Sequence, residues 1–488
     1  MLEITIQIKD SSGKTLELSD SLSNSSIVSH DFSQIEGLVE HIRTELLKKV
    51  ERNILEVNQR DYLEKKKPKL NGTRSVNIKS LHGFYEFKIQ RFSDDHKDYF
   101  EAVNMYKSMS KDYESYELCA YRSEYANNLS YRKLATNLNH RIGDRGYSKS
   151  HLQKKIVETA VDMSTYQRSK YEGIQLCFPF IETDFNIYDS WVDEILLFED
   201  GIGVKRQKDK RGDKDYEKPT KRVQSDIIAI EIECLKKKED GQKSSTSSPK
   251  QGEDSQKPST SSPKQGEGGQ KSSVSSTKKQ KQKKNYRYLS PLLDKQGNIA
   301  LSMTCMLLIE WTILYQGMPK RLVVISDGAK NIRRRLEAVF GQGVIIILDW
   351  YHLKKRINEI MSMMGMKKET KKEHIKKILN HLWYGQFDQA IKYIKKLEPI
   401  KSRMYKKQEL LDYLDKHQSE IINYQKRQQA GKSVGSGKAE ITVNQVVGMR
   451  QKKKGMSWTP RGSYALGVIK TFQLNGQFNQ FWNHKKAA

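Results

Sequence analysis

Apolar positions along this chain repeat with two periods, and the shift from one to the other marks out its elements. Two short runs rich in β-branched residues, Val323-Val-Ile-Ser-Asp-Gly-Ala-Lys330 and Val344-Ile-Ile-Ile-Leu-Asp-Trp-Tyr-His-Leu353, predict buried strands that each end on an aspartate where a helix should begin. Gly328 gives the first strand a tight exit, and Lys330–Phe340 reads as the helix between the two. Asp327 and Asp349 are thereby brought to the carboxyl edge of a sheet, where open α/β sheets place their chemistry. Leu301–Tyr315 is apolar enough for a core helix. Beyond His352 the spacing stays helical through Ile357, Ile378, Leu382, Ile394 and Leu414 as far as Ala430-Gly-Lys-Ser-Val-Gly-Ser-Gly437. In Lys438–Arg450, Val443, Val446 and Val447 form an inward stripe, while Glu440 and Asn444 lie one turn apart on another face.

Upstream, Met1–Lys9 alternates like a strand and a Ser-rich loop follows to about residue 30. Ile35, Leu38, Val39, Ile42, Leu46, Val50 and Ile54 predict an amphipathic helix over about 35–57. Ser75–Phe92 alternates around His82-Gly83, which predicts a β-hairpin, and about 95–170 is helical. Within that stretch Ser130 caps a helix with Tyr131, Leu134, Ala135 and Leu138 on one face. After a break at Gly143-Asp-Arg-Gly146, Ser148 caps a second helix with Leu152, Ile156 and Ala160 inward. Lys149, His151, Gln153 and Lys154 face outward from it, a helix-turn-helix pattern that offers polar and basic side chains to a major groove. The plainer alternative is an ordinary packed helix pair with a solvated outer face.

Charge narrows the partners. With 87 Lys and Arg against 59 Asp and Glu, a net charge of +28, the chain attracts polyanions, and double-stranded nucleic acid is the default partner. Residues 201–290 alone hold 23 basic and 12 acidic residues, and Gly241–Asp254 is echoed by Ser255–Gly268 and, less closely, by Gly269–Gln282. These Ser, Pro, Gly, Gln and Lys repeats bury too little apolar area to order, so a disordered insertion is expected. One apolar island, Ile227–Leu235, reads as a strand with Glu231 and Glu233 on one face. Four scattered cysteines (Cys119, Cys177, Cys234 and Cys305) suggest neither disulfides nor a zinc knuckle. No run approaches the length of a membrane helix, so a reducing cytoplasm is the expected location.

The acids therefore sit on separate elements: strand, strand, strand and, after a helical insertion, helix. Phosphodiester cleavage with two Mg²⁺ or Mn²⁺ ions needs carboxylates supplied in this way. An acid at a strand end can equally be a plain cap for the next helix.

Ser326-Asp-Gly-Ala329, Leu348-Asp-Trp-Tyr-His352, Tyr413-Leu-x₇-Ile421-Ile-Asn-Tyr424, Gly435-Ser-Gly-x-x-Glu440, Arg450-x₄-Gly455-Met-Ser-Trp458 and Phe478-x-x-Phe481-Trp482 together resemble bacterial insertion-sequence transposases of the ISLre and ISKra types, in the Mutator-related DDE group. The similarity covers most of 285–488 and continues more faintly through Tyr125-Ala-x-x-x-Ser-Tyr-Arg-x-Leu134. It implies an α/β RNase H-like catalytic core with an all-helical insertion, behind a mainly helical N-terminal DNA-binding region. It also implies cutting at the terminal inverted repeats of an element and joining of the 3′ ends to target DNA by two-metal chemistry, by a protein that is a homo-oligomer on DNA. Asp327 matches the second metal-binding acid and Glu440 the last. Asp349 and His352 match a supporting Asp-x-x-His element, in which His352 either orients a phosphate or is a satisfied core histidine, and Asn444 and Arg450 are further supporting residues.

The pattern departs at the first acid, where the family has aspartate and this chain reads Ile230-Glu-Ile-Glu-Cys234, so Glu233 stands as the third ligand. A second outcome is thus a weakened or inactive DNA-binding descendant, and a third, poorer one is a general RNase H-type nuclease. The expected division is an N-terminal region (1–95), a helical DNA-binding region (96–200), a basic linker (201–225), the first core strand (226–235), the repeat insertion (236–285), the continued core (286–352), the helical insertion (353–430) and the glutamate helix with the core's end (431–488).

Overall fold

The computed structural model describes residues 2–9, 15–22, 32–143, 146–207, 222–232, 285–435, 437–452 and 456–487. Glu233, the repeats and most of the basic linker lie outside the described residues.

The N-terminal part opens with an antiparallel pair, β1 (Leu2–Lys9) and β2 (Thr15–Leu22), followed by the 35-residue helix α1 (Phe32–Lys66). The hairpin β3 (Leu70–Lys79) and β4 (Phe84–Phe92) turns at the expected His82-Gly83 and buries Val76, Ile78, Phe87 and Ile89 beneath the short helix α2 (Tyr99–Ala102). Three helices follow, α3 (Tyr116–Ala126), α4 (Tyr131–Ile142) and α5 (Lys149–Ser169). Ser130 and Ser148 accept from the amides of Lys133 and His151, the caps their spacing predicts, and Gly143 closes α4 at φ +70°.

A five-stranded mixed sheet forms the centre. Its strands are β5 (Ile195–Lys205), β6 (Arg222–Ile232), β7 (Asn285–Leu289), β10 (Leu322–Ser326) and β11 (Ile345–Leu348). Between β7 and β10 lie the small pair β8 (Leu292–Leu293) and β9 (Ile299–Leu301) and the helix α6 (Met303–Tyr315). The order across the sheet is β11-β10-β5-β6-β7, with β5, β10 and β11 parallel and β6 and β7 antiparallel. The expected assignment of 226–235 as the first core strand is therefore corrected. The first strand of this sheet is β5, at its centre, and β6 is the second, running back along it. The helical region accordingly ends well before residue 200, at Ser169.

Helix α7 (Lys330–Phe340) joins β10 to β11, and α8 (Trp350–Ser362) leaves β11 with Asp349 as its cap. The helical insertion continues through α9 (Lys368–Trp383), α10 (Phe387–Lys395), α11 (Met404–Lys416) and α12 (Tyr424–Gln429). The glutamate helix α13 (Gly437–Val443) runs on into a π-helical stretch, Asn444–Lys452, and α14 (Pro460–Leu474) and α15 (Phe478–Ala487) follow.

The two faces of the sheet bury different partners because side chains alternate along each strand. Ile195, Leu197, Val324 and Ile346 pack on α6 and α7. Leu196, Phe198, Val323, Ile325 and Ile347 pack instead on the helical insertion. Further along that second face, Ile202, Val204 and Val223 join a cluster built from α3, α4, α5, α14 and α15. Asp200 falls between these two apolar groups.

Candidate active site

The strand registers decide which acids meet. Ile325 pairs with Phe198 across β10 and β5, and Ser326 pairs with Leu348 across β10 and β11. Carrying each register on sets Asp200, Asp327 and Asp349 side by side across three neighbouring parallel strands, just past the ends of β10 and β11 and midway along the longer β5. Adjacent strands lie about 4.8 Å apart, so these positions form one short row. Helix α13, which carries Glu440 in its first turn, packs on β5 and β6 beside that row.

Electrostatics link the same residues. Burial pushes the Asp200 carboxyl up to about 6, and the charges of Asp327 and Glu440 push the same way against the Gly201 amide and His352. Asp200 Oδ1 accepts from Gly201 N at 2.7 Å, and Asp327 Oδ1 accepts from Ala329 N at 2.9 Å. Asp349 is buried; its Oδ1 accepts from Tyr351 N at 2.8 Å and its Oδ2 lies 2.9 Å from His352 Nδ1. That bond raises the His352 pKa, aided by the charges of Asp349, Asp200 and Asp327 and opposed by burial. Asp349 is thus both a helix cap and the partner of a histidine that lies within reach of the charges of Asp200 and Asp327.

Asp200 was absent from the expected set, although Ile195-Leu-Leu-Phe-Glu-Asp-Gly201 carries the same signal as the two aspartate-ended runs, a short apolar run closing on an acid, here followed by glycine as at Asp327-Gly328. Its neighbour Glu199 points to the opposite face, fully buried and ion-paired with Arg335 of α7, which also donates to Asp226 Oδ2 at 2.9 Å. Asp226 is thereby tied up on the far face, away from the row. Glu233 lies outside the described residues. The last described residue of β6, Ile232, stands at the edge of the sheet opposite to Asp200, because β6 pairs Ile230 with Leu197 and Asp226 with Gly201.

The remaining expected residues divide. Asn444 is exposed, one turn beyond Glu440. Arg450 lies away from the acids. It is buried with its Nε donating to Ala126 O at 2.8 Å and its guanidinium 4.8 Å from the Trp458 ring and 5.2 Å from that of Tyr131. It joins the N-terminal helices to the C-terminal block, and a supporting part in the acid row does not fit that position. On α5, Lys149 and Lys154 are exposed, Lys154 with Glu158 3.9 Å away. Gln153 instead turns toward Thr459, 3.5 Å away, and His151 is half-buried with its pKa lowered by burial. Only part of the expected outer face is therefore free.

Carboxylate oxygens are the donors that hard divalent cations take, and a carboxyl raised to about 6 by burial, with two neighbouring acids adding to it, is one whose charged form such a cation would stabilise. In kind, Asp200, Asp327 and Glu440 fit Mg²⁺ or Mn²⁺. Among the described residues, no three His, Cys, Asp or Glu side chains are drawn together closely enough to hold an ion. No family model matches this chain, and no curated protein matches its sequence. No helix among the described residues is long and apolar enough to cross a membrane.

Proposed function

We propose that this chain is a DDE-type DNA transposase with an RNase H-like core, cutting DNA at the ends of its mobile element and joining the 3′ ends to target DNA. The observation that carries the reading is the acid row: Asp200, Asp327 and Asp349 in register on three parallel strands, with Glu440 on a helix laid beside them. The sheet order, with a central strand flanked by two parallel strands on one side and an antiparallel hairpin on the other, is what such a core requires.

In this reading Asp200, Asp327 and Glu440 hold the metal, and Glu233 has no part. Two Mg²⁺ or Mn²⁺ ions, when bound, would activate the attacking oxygen and stabilise the leaving one. Asp349 keeps His352 oriented, and the surrounding carboxylates favour its protonated form, which supplies a cation for an anionic phosphate beside the acids. Lys149 and Lys154, with the chain's excess of positive charge, supply sequence-independent attraction for the DNA backbone. The chain departs from the family pattern at its first acid and in the repeat insertion that follows it. Asp200, beside Asp327 on the central strand, offers a carboxylate where the expected first acid was Glu233, which supports the active reading over the inactive one.

The test uses purified full-length protein, Mg²⁺ or Mn²⁺, and DNA from the borders of its own gene. Asp200→Ala, Asp327→Ala and Glu440→Ala should each abolish nicking while DNA binding stays within a few-fold. Nicking that persists in Asp200→Ala removes that residue from the site, and an uncut substrate with the native chain counts against the whole assignment.

A further inference from the structure

The loop that carries Asp327 is gripped from behind by the helical insertion. Gly328 takes φ +79°, and a Cβ placed there would lie 2.6 Å from His417 Cε1 and 2.8 Å from Leu348 Cδ1. His417 follows α11 and is buried, with Nδ1 2.5 Å from Glu420 Oε2. Glu420 is also buried, and its other oxygen takes Arg333 Nη2 from the first turn of α7. Arg333 N in turn bonds Ala329 O at 3.2 Å, and Ala329 N bonds Asp327 Oδ1. The Tyr413 ring closes the outer side of His417, with centroids 4.9 Å apart. Nothing in the chemistry described above uses His417, Glu420 or Arg333, yet all three surround the turn that aims the carboxylate.

We infer that His417 and Glu420 are positioning residues: through Arg333 and the Gly328 turn they fix the placement of Asp327, so that the helical insertion sets the geometry of the acid row. A buried carboxylate that bonds an imidazole and a guanidinium from two separate segments locks those segments together, because releasing either partner leaves an unpaired buried charge. The insertion grips the other strand end as well, since Tyr424 Oη donates to Leu348 O at 2.8 Å immediately before Asp349. Mg²⁺ requires near-ideal octahedral geometry, so loosening this turn should weaken the response to Mg²⁺ more than to Mn²⁺.

The inference rests on the proposed metal site for its functional meaning, but its physical core can be read without any ion. In full-length protein, amides of 327–333 should exchange hydrogen at least about tenfold faster in Glu420→Gln and His417→Leu than in the native chain, while those of β10 stay protected. His417→Gln, which keeps a donor for Glu420, should recover most of the protection. Unchanged exchange at 327–333, or exchange that rises equally throughout the sheet, overturns the inference. Where the native chain nicks DNA, both disruptive variants should need about tenfold more Mg²⁺ for half-maximal cutting, with a smaller rise for Mn²⁺. An equal loss with both ions also overturns it. An uncut substrate with the native protein bears on the transposase assignment and leaves the exchange result to decide this one.

Discussion

Replacing Asp200 with Asn tests the acid row through stability. The Asp200 carboxyl is held near 6 in the fold against an ordinary 3.8. At about 1.4 kcal/mol per tenfold, keeping it ionised above pH 6 costs the folded state about 3 kcal/mol, or about 2 after allowance for screening at a partly open site. The sign follows from proton uptake. A folded-state pKa above the unfolded value makes the folded form the better proton binder, so the stabilising contribution is complete below 3.8 and is lost as pH rises through 6. Asp200→Asn carries no such loss. Urea unfolding at pH 7.5 should therefore find the variant more stable than the native chain by about 2 kcal/mol, with the difference shrinking below about 0.5 kcal/mol at pH 4. Mn²⁺ should narrow the gap at pH 7.5 by stabilising the ionised carboxyl in the native chain. A variant that is less stable at both pH values, or a gain that does not vary with pH, would refute the account of Asp200 as a carboxylate whose charge is disfavoured by burial beside other acids.

Four further outcomes follow from particular contacts. Glu233→Ala should leave nicking at the native level in the same gel assay that finds none for Asp200→Ala. Gly328→Ala should lower stability by more than about 2 kcal/mol in urea unfolding, since a side chain at φ +79° meets His417 and Leu348 at once. Arg450→Met should destabilise the chain by about 2–4 kcal/mol on loss of its bond to Ala126 O and its stacking on Trp458, yet leave metal titration unchanged. Lys149→Ala and Lys154→Ala should each lower the slope of log affinity against log salt by about 0.9, as measured by fluorescence anisotropy, whereas Gln153→Ala should not alter it.

Much of the fold was legible because local periods are strong signals: α7 begins and ends where its pattern says, and Ser130 and Ser148 cap their helices. Asp327, Asp349 and Glu440 were legible too, each ending or opening an element with a clear stripe. Asp200 was not, because the excess of positive charge that starts at about residue 201 is an average over some ninety residues, and a boundary drawn from it cuts β5 in two. A strand needs only a few residues to fix its faces: Ile202 and Val204 alternate with Gly201 and Gly203 and carry β5 straight across the charge boundary to Lys205. Glu233 lies outside the described residues, and the strand before it shows why such an acid is hard to place. An apolar run ending on an acid says nothing about strand direction, and direction decides which edge of the sheet the acid reaches. The contact of Gln153 with the C-terminal block was equally unreadable, since its partner Thr459 lies 306 positions away.

The cluster that joins α3, α4 and α5 to α14 and α15 has a consequence in time. Leu152, Ile156, Ala160 and Met163 bury themselves partly against Ala465, Leu466, Ile469 and Phe472, residues made some three hundred positions later. At about 5–20 residues per second, a nascent chain holds that apolar stripe uncovered for roughly 15–60 s. The N-terminal helices must therefore wait for the far end of the chain, and a product truncated before α14 should be caught by chaperones or proteases before it could occupy DNA.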